Sequence, residues 1–377
     1  MSLRLSLRGA ASLASPTLAG EARVGALRAS GREVIDLGAG RLAGVPSSGS
    51  ALVDLIAAHR SDEFGVPITA DHVLLTHGAR SALFTALLCL TDPGDEVLLL
   101  GPYWPTYAEV IALAGAEPVV VNATVEAGFR VCLPDVEARR TPRTRVLLLS
   151  SPSNPVGVVH DETELRAMAK WALEHDVWVI ADEAYRDLVF DPFRFVSMPA
   201  AAPEAIDRCV IVNGLSKNPR TPGGDLGWLI GSAELIDATR RVHSQISSPV
   251  RADHQRVVHD RLVDAPTGWA QRRAHLARCR DETVRQLAAI EGVQCLVPQG
   301  GLYCFPSVVG VLGRRIEDVV IDSSARLAEG ILASTGVFVL PGEAFGAPGH
   351  LRVSFGSDEE RLSEGLHRLA AYLSGAA

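Results

Sequence analysis

The stretch NGLSKNPRTPGGDLGW, residues 213–228, joins two short apolar runs at residues 209–212 and 226–230, each of which predicts a buried strand. Lys217 is the lysine of the Ser-, Asn-, Gly- and Pro-rich loop between them. A lysine held between buried strands is desolvated, which favours the neutral amine, a nucleophile toward aldehydes. A loop lysine in solvent is the alternative, and the choice between the two depends on the rest of the chain.

Length and composition exclude several classes of protein. With 377 residues, 47% of them hydrophobic and 21% charged, the chain is long enough for two globular domains. A formal charge of −8 argues against nucleic acid or an anionic membrane surface as a partner, and no apolar run approaches the roughly 20 residues that span a bilayer. The six cysteines show no CxxC spacing, which indicates reduced thiols in a cytoplasmic protein and no metal site.

Apolar runs and helical patterns alternate over the first part of the chain, as in sheets that are covered by helices on both faces. We predict strands at residues 72–76, 96–100, 117–121, 145–149 and 177–181, and helices at 79–89, 106–113, 162–175 and after residue 50. Alternation of this kind predicts an α/β fold with a mostly parallel sheet.

After residue 228 the pattern changes to Arg-rich helices and then to a smaller α+β part. We predict helices at 232–246, 256–263 and 269–290, strands at 294–297, 302–305, 337–340 and 351–355, and a closing helix that ends at residue 373. We therefore predict a large domain at 49–249 and a small C-terminal domain at 250–377. The N-terminal segment, 1–48, is expected to contain a helix at 18–27 and a strand at 34–37 and to dock on the small domain.

Polar residues follow several of the predicted strands, at the sheet edge where open α/β proteins collect their chemistry. Gly78, Ala79 and Arg80 open a helix directly after a strand, so that free backbone N–H groups could receive a phosphate, although a plain turn has the same pattern. Trp104, in the motif GPYWPTY, could stack on a flat heterocycle or fill a core or an interface.

Three further motifs carry an amide, an acid and a guanidinium. Asn154 precedes a proline in LLLSSPSNPVG, which holds it extended with its amide toward a ligand, unless it forms a simple Asx turn. Asp182 ends a buried strand in VIADEAY, where a carboxylate needs a cationic partner unless it caps a helix, and Tyr185 faces the same opening. Arg352 leaves a late strand and suits a bidentate grip on a carboxylate, or is a surface arginine of an edge strand.

The order of these features is more specific than any one of them. From residue 35 onward it resembles the class I and class II aminotransferases, pyridoxal-phosphate enzymes of fold type I, and PGEAFG (341–346) and GGLYCF (300–305) are similar to landmarks of that family's small domain. The resemblance implies an aspartate-aminotransferase-like fold: a large cofactor-binding domain with a seven-stranded, mostly parallel sheet between helices, and a smaller α+β domain. It also implies a homodimer with shared active sites.

The resemblance assigns a role to each matching residue. It implies that Lys217 forms the Schiff base with the aldehyde of pyridoxal 5′-phosphate and then shuttles the α-proton, while Asp182 pairs with the pyridinium nitrogen. Tyr185 and Asn154 would hydrogen-bond the phenolic oxygen of the cofactor, and Trp104 would stack on its ring beside the substrate. The implied reaction transfers an amino group between an amino acid and a 2-oxo acid.

The phosphate and the substrate carboxylate are assigned in the same way. The resemblance implies that the amides of residues 78–80 and the hydroxyl of Ser216 receive the phosphate. Arg352 would bind the α-carboxylate, with Gly40 and Asn154 close by.

One departure from the family affects the phosphate. Asp225 stands eight residues after Lys217, where the family has an arginine that contacts the phosphate, and a carboxylate at that place repels a phosphate dianion. Either Asp225 turns away from the phosphate, or a nearby guanidinium compensates for its charge. We hypothesise that Arg220, in the same loop, takes over this contact. Arg80 in the phosphate turn is the other candidate.

A second departure affects the substrate side. The segment RLAGVPSSGS, residues 41–50, is shorter than in the family and lacks the tyrosine that reaches the phosphate of the partner subunit. A hydroxyl could come instead from Ser47, Ser48 or Ser50. An acidic co-substrate would need a second guanidinium, for which nothing selects among the available arginines. These are Arg23, Arg41 and Arg251.

Two other functions compete with the transaminase. A β- or γ-lyase or a racemase-like enzyme would keep the cofactor and change the fate of the carbanion. A non-catalytic relative that binds cofactor or protein would explain Asp225. It would not require the retention of all five matching residues, which are Lys217, Asp182, Tyr185, Asn154 and Arg352. A nucleotide site is weaker still, because the chain contains neither GxGxxG nor GxxxxGK[ST].

Overall fold

A computed structural model of the chain describes residues 4–13, 15–35, 51–217, 225–263, 269–317 and 319–375. Within these ranges the largest sheet has seven strands: β1 (Val73–Thr76), β2 (Glu96–Gly101), β3 (Glu117–Asn122), β4 (Thr144–Ser150), β5 (Trp178–Asp182), β6 (Cys209–Gly214) and β7 (Gly227–Ile230). Their order across the sheet is β1-β7-β6-β5-β4-β2-β3. Neighbours run parallel from β3 to β6, while β7 pairs antiparallel with both β6 and β1. The predicted α/β fold with a mostly parallel sheet is therefore confirmed.

Helices cover both faces of this sheet. In chain order the helices of this part of the chain are α1 (Leu7–Ala11), α2 (Pro16–Ala29), α3 (Ala51–Phe64), α4 (Gly78–Leu90), α5 (Thr106–Leu113), α6 (Leu133–Arg139), α7 (Glu162–Glu174), α8 (Met198–Ala201) and α9 (Ala233–Ile246). Helices α4 and α9 pack together on one face, and α3, α7 and α8 contact one another on the other.

The central strands are apolar on both sides because both of their faces are buried. In β4, Val146 and Leu148 enter the core under α4, whereas Leu147 and Leu149 enter the core under α7. None of the four side chains is more than 1% exposed. This arrangement explains why these strands appear in the sequence as continuous apolar runs without alternation.

Among the described residues, the C-terminal part contains a three-stranded antiparallel sheet, a two-stranded hairpin and four helices. The elements are α10 (Ala252–Val263), α11 (Trp269–Ala288), β8 (Tyr303–Cys304), β9 (Arg315–Ile316), β10 (Val319–Val320), α12 (Ser324–Thr335), β11 (Leu340–Pro341), β12 (Leu351–Ser354) and α13 (Glu359–Leu373). Strands β11, β12 and β8 form the sheet in that order, and β9 and β10 form a separate hairpin. Helices α11, α12 and α13 enclose a second apolar core with this sheet.

Some local predictions were wrong. Residues 294–297 are no strand, because only Gln294 makes an isolated bridge, to Ser307. The helix that was expected from residue 256 begins at Ala252. Of the strand predicted at 34–37, Val34 and Ile35 are irregular, and the other two residues lie outside the described ranges.

Residues 4–13 do not follow the prediction that the N-terminal segment, 1–48, docks on the small domain. Residues 4–13 pack instead against α4 and α9 of the large sheet: Ser6 Oγ donates to the carbonyl of Leu88 (2.7 Å), and Trp178 Nε1 donates to the carbonyl of Arg4 (3.3 Å). Helix α10, expected in the small domain because the boundary was set at residue 250, packs against α3, and Val258 lies in the core of the large sheet.

Two negative findings hold for the described ranges. None of their helices has the length and apolar character needed to cross a membrane. They also contain no cluster of three or more His, Cys, Asp or Glu side chains that could hold a metal ion.

Candidate active site

The predicted site residues follow the carboxyl ends of three adjacent parallel strands. Asn154 comes four residues after β4, Asp182 is the last residue of β5, and Lys217 comes three residues after β6. The register pairs Ser150 with Asp182 and Asp182 with Val212, so these strand ends lie side by side at one edge of the sheet. The sheet therefore brings together an amide, a carboxylate and an amine that are far apart in sequence.

Asp182 is a buried carboxylate held by two neutral donors. Its side chain is 5% exposed; Oδ2 accepts from the Tyr107 hydroxyl (2.8 Å) and Oδ1 from the backbone N–H of Ala184 (3.0 Å). Burial raises the pKa of Asp182, and the two hydrogen bonds oppose that rise. Burial raises the pKa of Tyr107 as well, and the charge of Asp182 adds to this, so the phenol keeps its proton and remains a donor.

Tyr107 was missed as a site residue, although it ends the quoted motif GPYWPTY. Its helix, α5, packs over β2 and β3, and its ring also meets Trp104 edge-on at 5.3 Å between ring centroids. The signal available in the sequence was its spacing, three residues after Trp104, which places both rings on one face of a helical turn.

A second group surrounds Arg352. Its Nη1 donates to Oδ1 of the buried Asn154 (3.0 Å), and its guanidinium lies against the rings of Tyr303 (4.1 Å) and Phe345 (4.9 Å). Burial lowers the pKa of Arg352. The Tyr303 hydroxyl lies 3.3 Å from that of Tyr185, so the small sheet and the loop after β5 meet at this point. Tyr303 was also missed, although it lies in the quoted motif GGLYCF.

The predicted phosphate turn is held by close glycine contacts. Gly78 begins α4 with φ +79°, and the preceding residue, His77, makes no side-chain cap to the helix. The first N–H groups of α4 therefore have no capping side chain, as an anion site requires. A β-carbon at Gly227 would lie 2.3 Å from the carbonyl carbon of Gly78, and one at Gly214 would lie 3.2 Å from the nitrogen of Ala79. The turn that carries the lysine thus starts directly against the start of α4.

Lys217 ends a short 3₁₀ turn, Leu215–Lys217, and is half-buried, while Ser216 is exposed. Arg80, the other predicted phosphate ligand, has its guanidinium 5.2 Å from the centre of the Trp104 ring. Arg220 and Gly40 lie outside the described residues, as do Arg41, Ser47, Ser48 and Ser50.

Asp225 turns its carboxylate toward helix α10. The side chain is 76% exposed, and Oδ1 lies 3.4 Å from Nε2 of His254. Its backbone carbonyl oxygen faces the other way, against Gly78. The structure thus agrees with the possibility that Asp225 points away from the phosphate turn, and it adds His254 as a partner that the sequence did not indicate.

These residues fit pyridoxal 5′-phosphate. In the described part of the chain no Lys, Arg or His forms an ion pair with Asp182, so its carboxylate is available to a cationic ring nitrogen. The glycine contacts leave no β-carbon between the start of α4 and strand β7, so the first turn of this helix lies close to the turn that carries Lys217. An amine, Lys217, lies at the same sheet edge for an aldehyde.

Comparison with known proteins gives one consistent result. The family model described as aminotransferase class I and II matches residues 25–369. The aspartate aminotransferase of Streptomyces avermitilis is 37% identical over 99% of this chain and 97% of its own length. The aspartate/prephenate aminotransferase of Cereibacter sphaeroides is 32% identical over 96% of both chains. The crystal structure of the aspartate aminotransferase of Rhizobium meliloti superposes with a TM-score of 0.82, at 31% identity and 99% coverage of both chains.

The contact between Gly227 and Gly78 predicts that Gly227→Ala lowers the free energy of unfolding by about 1–3 kcal/mol, because the added methyl group meets backbone atoms that cannot move aside. Gly365→Ala is the matched control: it lies in α13 with no atom within 4 Å of the added carbon, and we expect a gain of about 0.5–1 kcal/mol. Urea unfolding of both variants measures the difference. Equal stability of the two variants would contradict the close approach.

Proposed function

Because the chain belongs to the family of class I and class II aminotransferases, we propose that it transfers an amino group between an amino acid and a 2-oxo acid, with pyridoxal 5′-phosphate attached through Lys217. The observation that carries the cofactor assignment is the buried carboxylate of Asp182, whose hydrogen-bond donors are Tyr107 and a backbone N–H. A buried carboxylate without a cation is costly. A protonated ring nitrogen would supply the missing positive charge.

When bound, pyridoxal phosphate supplies an aldehyde that reacts with amines and a protonated ring that accepts an electron pair from the substrate. Asp182 keeps that nitrogen protonated, and Tyr107 and Ala184 hold the carboxylate in place. Tyr185, whose buried phenol keeps its proton, would donate to the phenolic oxygen of the bound cofactor. Trp104 offers an aromatic face at the same sheet edge, above the helical turn that carries Tyr107.

The phosphate would lie at the start of α4. The backbone N–H groups of residues 78–80 receive its oxygens, supported by the positive end of a 13-residue helix. Ser216 and Arg220 remain proposed phosphate ligands. That Arg220 replaces the missing arginine of position 225 also remains a proposal. Asp225 does not oppose phosphate binding in this arrangement, because its carboxylate is directed toward His254.

Lys217 would act first as the amine that attaches the cofactor and afterwards as the base that moves the α-proton. The chain contains one other lysine, Lys170, whose side chain is 75% exposed on α7 and lies 3.8 Å from Glu174. Lys170 lies on a helix that covers the sheet and not at its carboxyl edge. Lys217 is therefore the amine that the fold places beside Asp182.

Arg352 would bind the α-carboxylate of the substrate. Among the described residues no Asp or Glu forms an ion pair with it, and its recorded polar partner is the neutral amide of Asn154. A half-buried guanidinium in that state favours an anion, and its planar fork suits a carboxylate. The rings of Tyr303 and Phe345 hold its plane in position.

Aspartate is the amino donor that we propose to test first, because relatives at 32–37% identity are named aspartate or aspartate/prephenate aminotransferases. Of the arginines considered for a second carboxylate, Arg251 is bound to Asp253 through two hydrogen bonds and Arg23 is exposed. A homodimer with shared active sites remains a prediction that follows from the family, and a cytoplasmic location remains a prediction that follows from the cysteine pattern.

The function is tested by a half-reaction. Cofactor-loaded protein mixed with L-aspartate alone should release about one oxaloacetate per site and no ammonia, while the bound cofactor changes from its aldehyde to its amine form. Borohydride reduction before mixing should attach the cofactor covalently, as a label, to Lys217 and not to Lys170. Lys217→Ala should lose about 10²–10⁴-fold in rate, and Lys170→Ala should not. Continuous release of ammonia would mean a lyase, and a label on neither lysine would contradict the function.

Asp182→Asn separates stability from activity. A carboxyl group whose pKa is raised by folding destabilises the folded protein above its unfolded pKa, and the cost grows as pH rises through the folded pKa. We therefore expect the cofactor-free variant to be more stable than wild type at pH 8, with a difference that shrinks toward pH 4 in denaturation experiments. Its transamination rate should fall by about 100-fold or more. Lower stability at pH 8 would show that Asp182 has a cationic partner in the free protein.

Arg352→Lys keeps the charge and loses the planar fork. We expect the KM for the amino acid to rise about tenfold or more, because a lysine cannot replace a bidentate contact that is held between two rings. Arg368→Lys, on the exposed side of α13, is the control, and its KM should be unchanged. An unaltered KM in Arg352→Lys would place the carboxylate elsewhere.

A further inference from the structure

Tyr303 links the two halves of the candidate site. It belongs to β8, where the register pairs it with Ser354 of β12, two residues after Arg352. Its ring lies 4.1 Å from the guanidinium carbon of Arg352, a cation–π contact in a half-buried place. On the other side its hydroxyl lies 3.3 Å from that of Tyr185, with the two rings at 74°.

The two hydroxyls share a limited number of protons. Each phenol has one proton to donate and can also accept. Tyr185 is 6% exposed, and burial, followed by the proximity of Tyr303, raises its pKa, so it keeps its proton. In the free protein that proton points toward Tyr303. If Tyr185 is to donate to a cofactor oxygen, Tyr303 has to reverse the bond and become the donor.

We infer that Tyr303 is a positioning residue with two separable parts: its hydroxyl donates to Tyr185 and directs the Tyr185 proton toward the phenolic oxygen of the cofactor, and its ring holds Arg352 for the substrate carboxylate. This inference rests on the proposed function. No proton leaves the pair, because each hydroxyl changes only the atom to which it donates. Tyr303 contacts the residues that act and not the reacting atoms.

The geometry separates the two parts. The hydroxyl end reaches the loop after β5 in the large part of the chain, whereas the ring face stays beside β12 of the small sheet. A donor behind Tyr185 polarises its O–H bond and strengthens its own donation, because hydrogen bonds in a chain support one another. Phe345 contacts Arg352 from a second direction at 4.9 Å, so Arg352 keeps one aromatic neighbour when the hydroxyl alone is removed.

The test compares Tyr303→Phe, Tyr303→Leu and the control Tyr372→Phe, which removes a phenol from α13 in the small-domain core. Two quantities are measured on the cofactor-loaded protein: the pH midpoint of the cofactor's absorbance change, and the Kd for maleate, a dicarboxylate without an amino group. Thermal unfolding of each cofactor-free variant reports structural damage separately.

Tyr303→Phe should raise the pH midpoint, by the equivalent of about a three- to tenfold change in the ionisation constant, because the hydrogen bond to the negative phenolic oxygen of the cofactor becomes weaker. The Kd for maleate should stay within about twofold of wild type. Tyr303→Leu should raise the midpoint similarly and weaken maleate binding about three- to tenfold. Tyr372→Phe should change neither quantity. In Tyr185→Phe, adding Tyr303→Phe should shift the midpoint no further.

An unchanged midpoint in Tyr303→Phe overturns the inference, and so does the same shift in the Tyr185→Phe background, since Tyr303 would then not act through Tyr185. A lower unfolding temperature with no change in midpoint or Kd would show a purely structural tyrosine and would overturn it as well. If wild-type protein gains no cofactor absorbance, the proposed function fails first. A different outcome contradicts this inference alone: the cofactor absorbance of the wild type changes with pH, but its midpoint is the same in Tyr303→Phe.

Discussion

The site depends on one buried negative charge. Asp182 ends β5, the middle strand of the seven-stranded sheet, with the ends of β4 and β6 on either side. Its carboxylate accepts hydrogen bonds from a phenol and from a backbone N–H, which lessen the free-energy cost of burial but carry no positive charge. The free protein thus tolerates a charge that a cationic ligand would balance. A sheet with both faces covered by helices provides the dry surroundings in which that balance matters most.

Three separate parts of the chain meet at this edge of the sheet. The start of α4 lies against β7 because neither Gly78 nor Gly227 has a side chain, and this contact places the first helix turn beside the lysine loop. Helix α5 contributes Tyr107 from one face of the sheet. The small sheet contributes Arg352 through Asn154.

Much of this could be predicted from the sequence, because local pattern determines local structure. Alternating apolar runs predicted every strand of the large sheet, and the order of the motifs predicted the family. The residues that were missed depend on contacts between distant segments. Tyr107 meets Asp182 across 75 residues and Tyr185 meets Tyr303 across 118, and no periodicity in the chain encodes such pairs.

The wrong predictions have the same origin. The apolar character of residues 294–297 is that of a strand, but the neighbouring chain offers Gln294 a single bridge and no ladder. The sequence of residues 4–13 does not indicate where this segment docks. It packs against α4 and α9, and these two helices come together only in the folded protein. The placement of α10 beside α3 likewise follows from tertiary packing, because its own pattern of residues suits either part of the protein.

The guanidinium of Arg352 also has a consequence for molecules that the protein should refuse. It is partly withdrawn from water, it faces aromatic rings, and its recorded polar partner is a neutral amide. An amine without a carboxylate, such as a decarboxylated amino acid, would cover this cation without neutralising it and would remove more of its water. In the proposed role of Arg352, this electrostatic penalty would disfavour polyamines and other simple amines relative to amino acids.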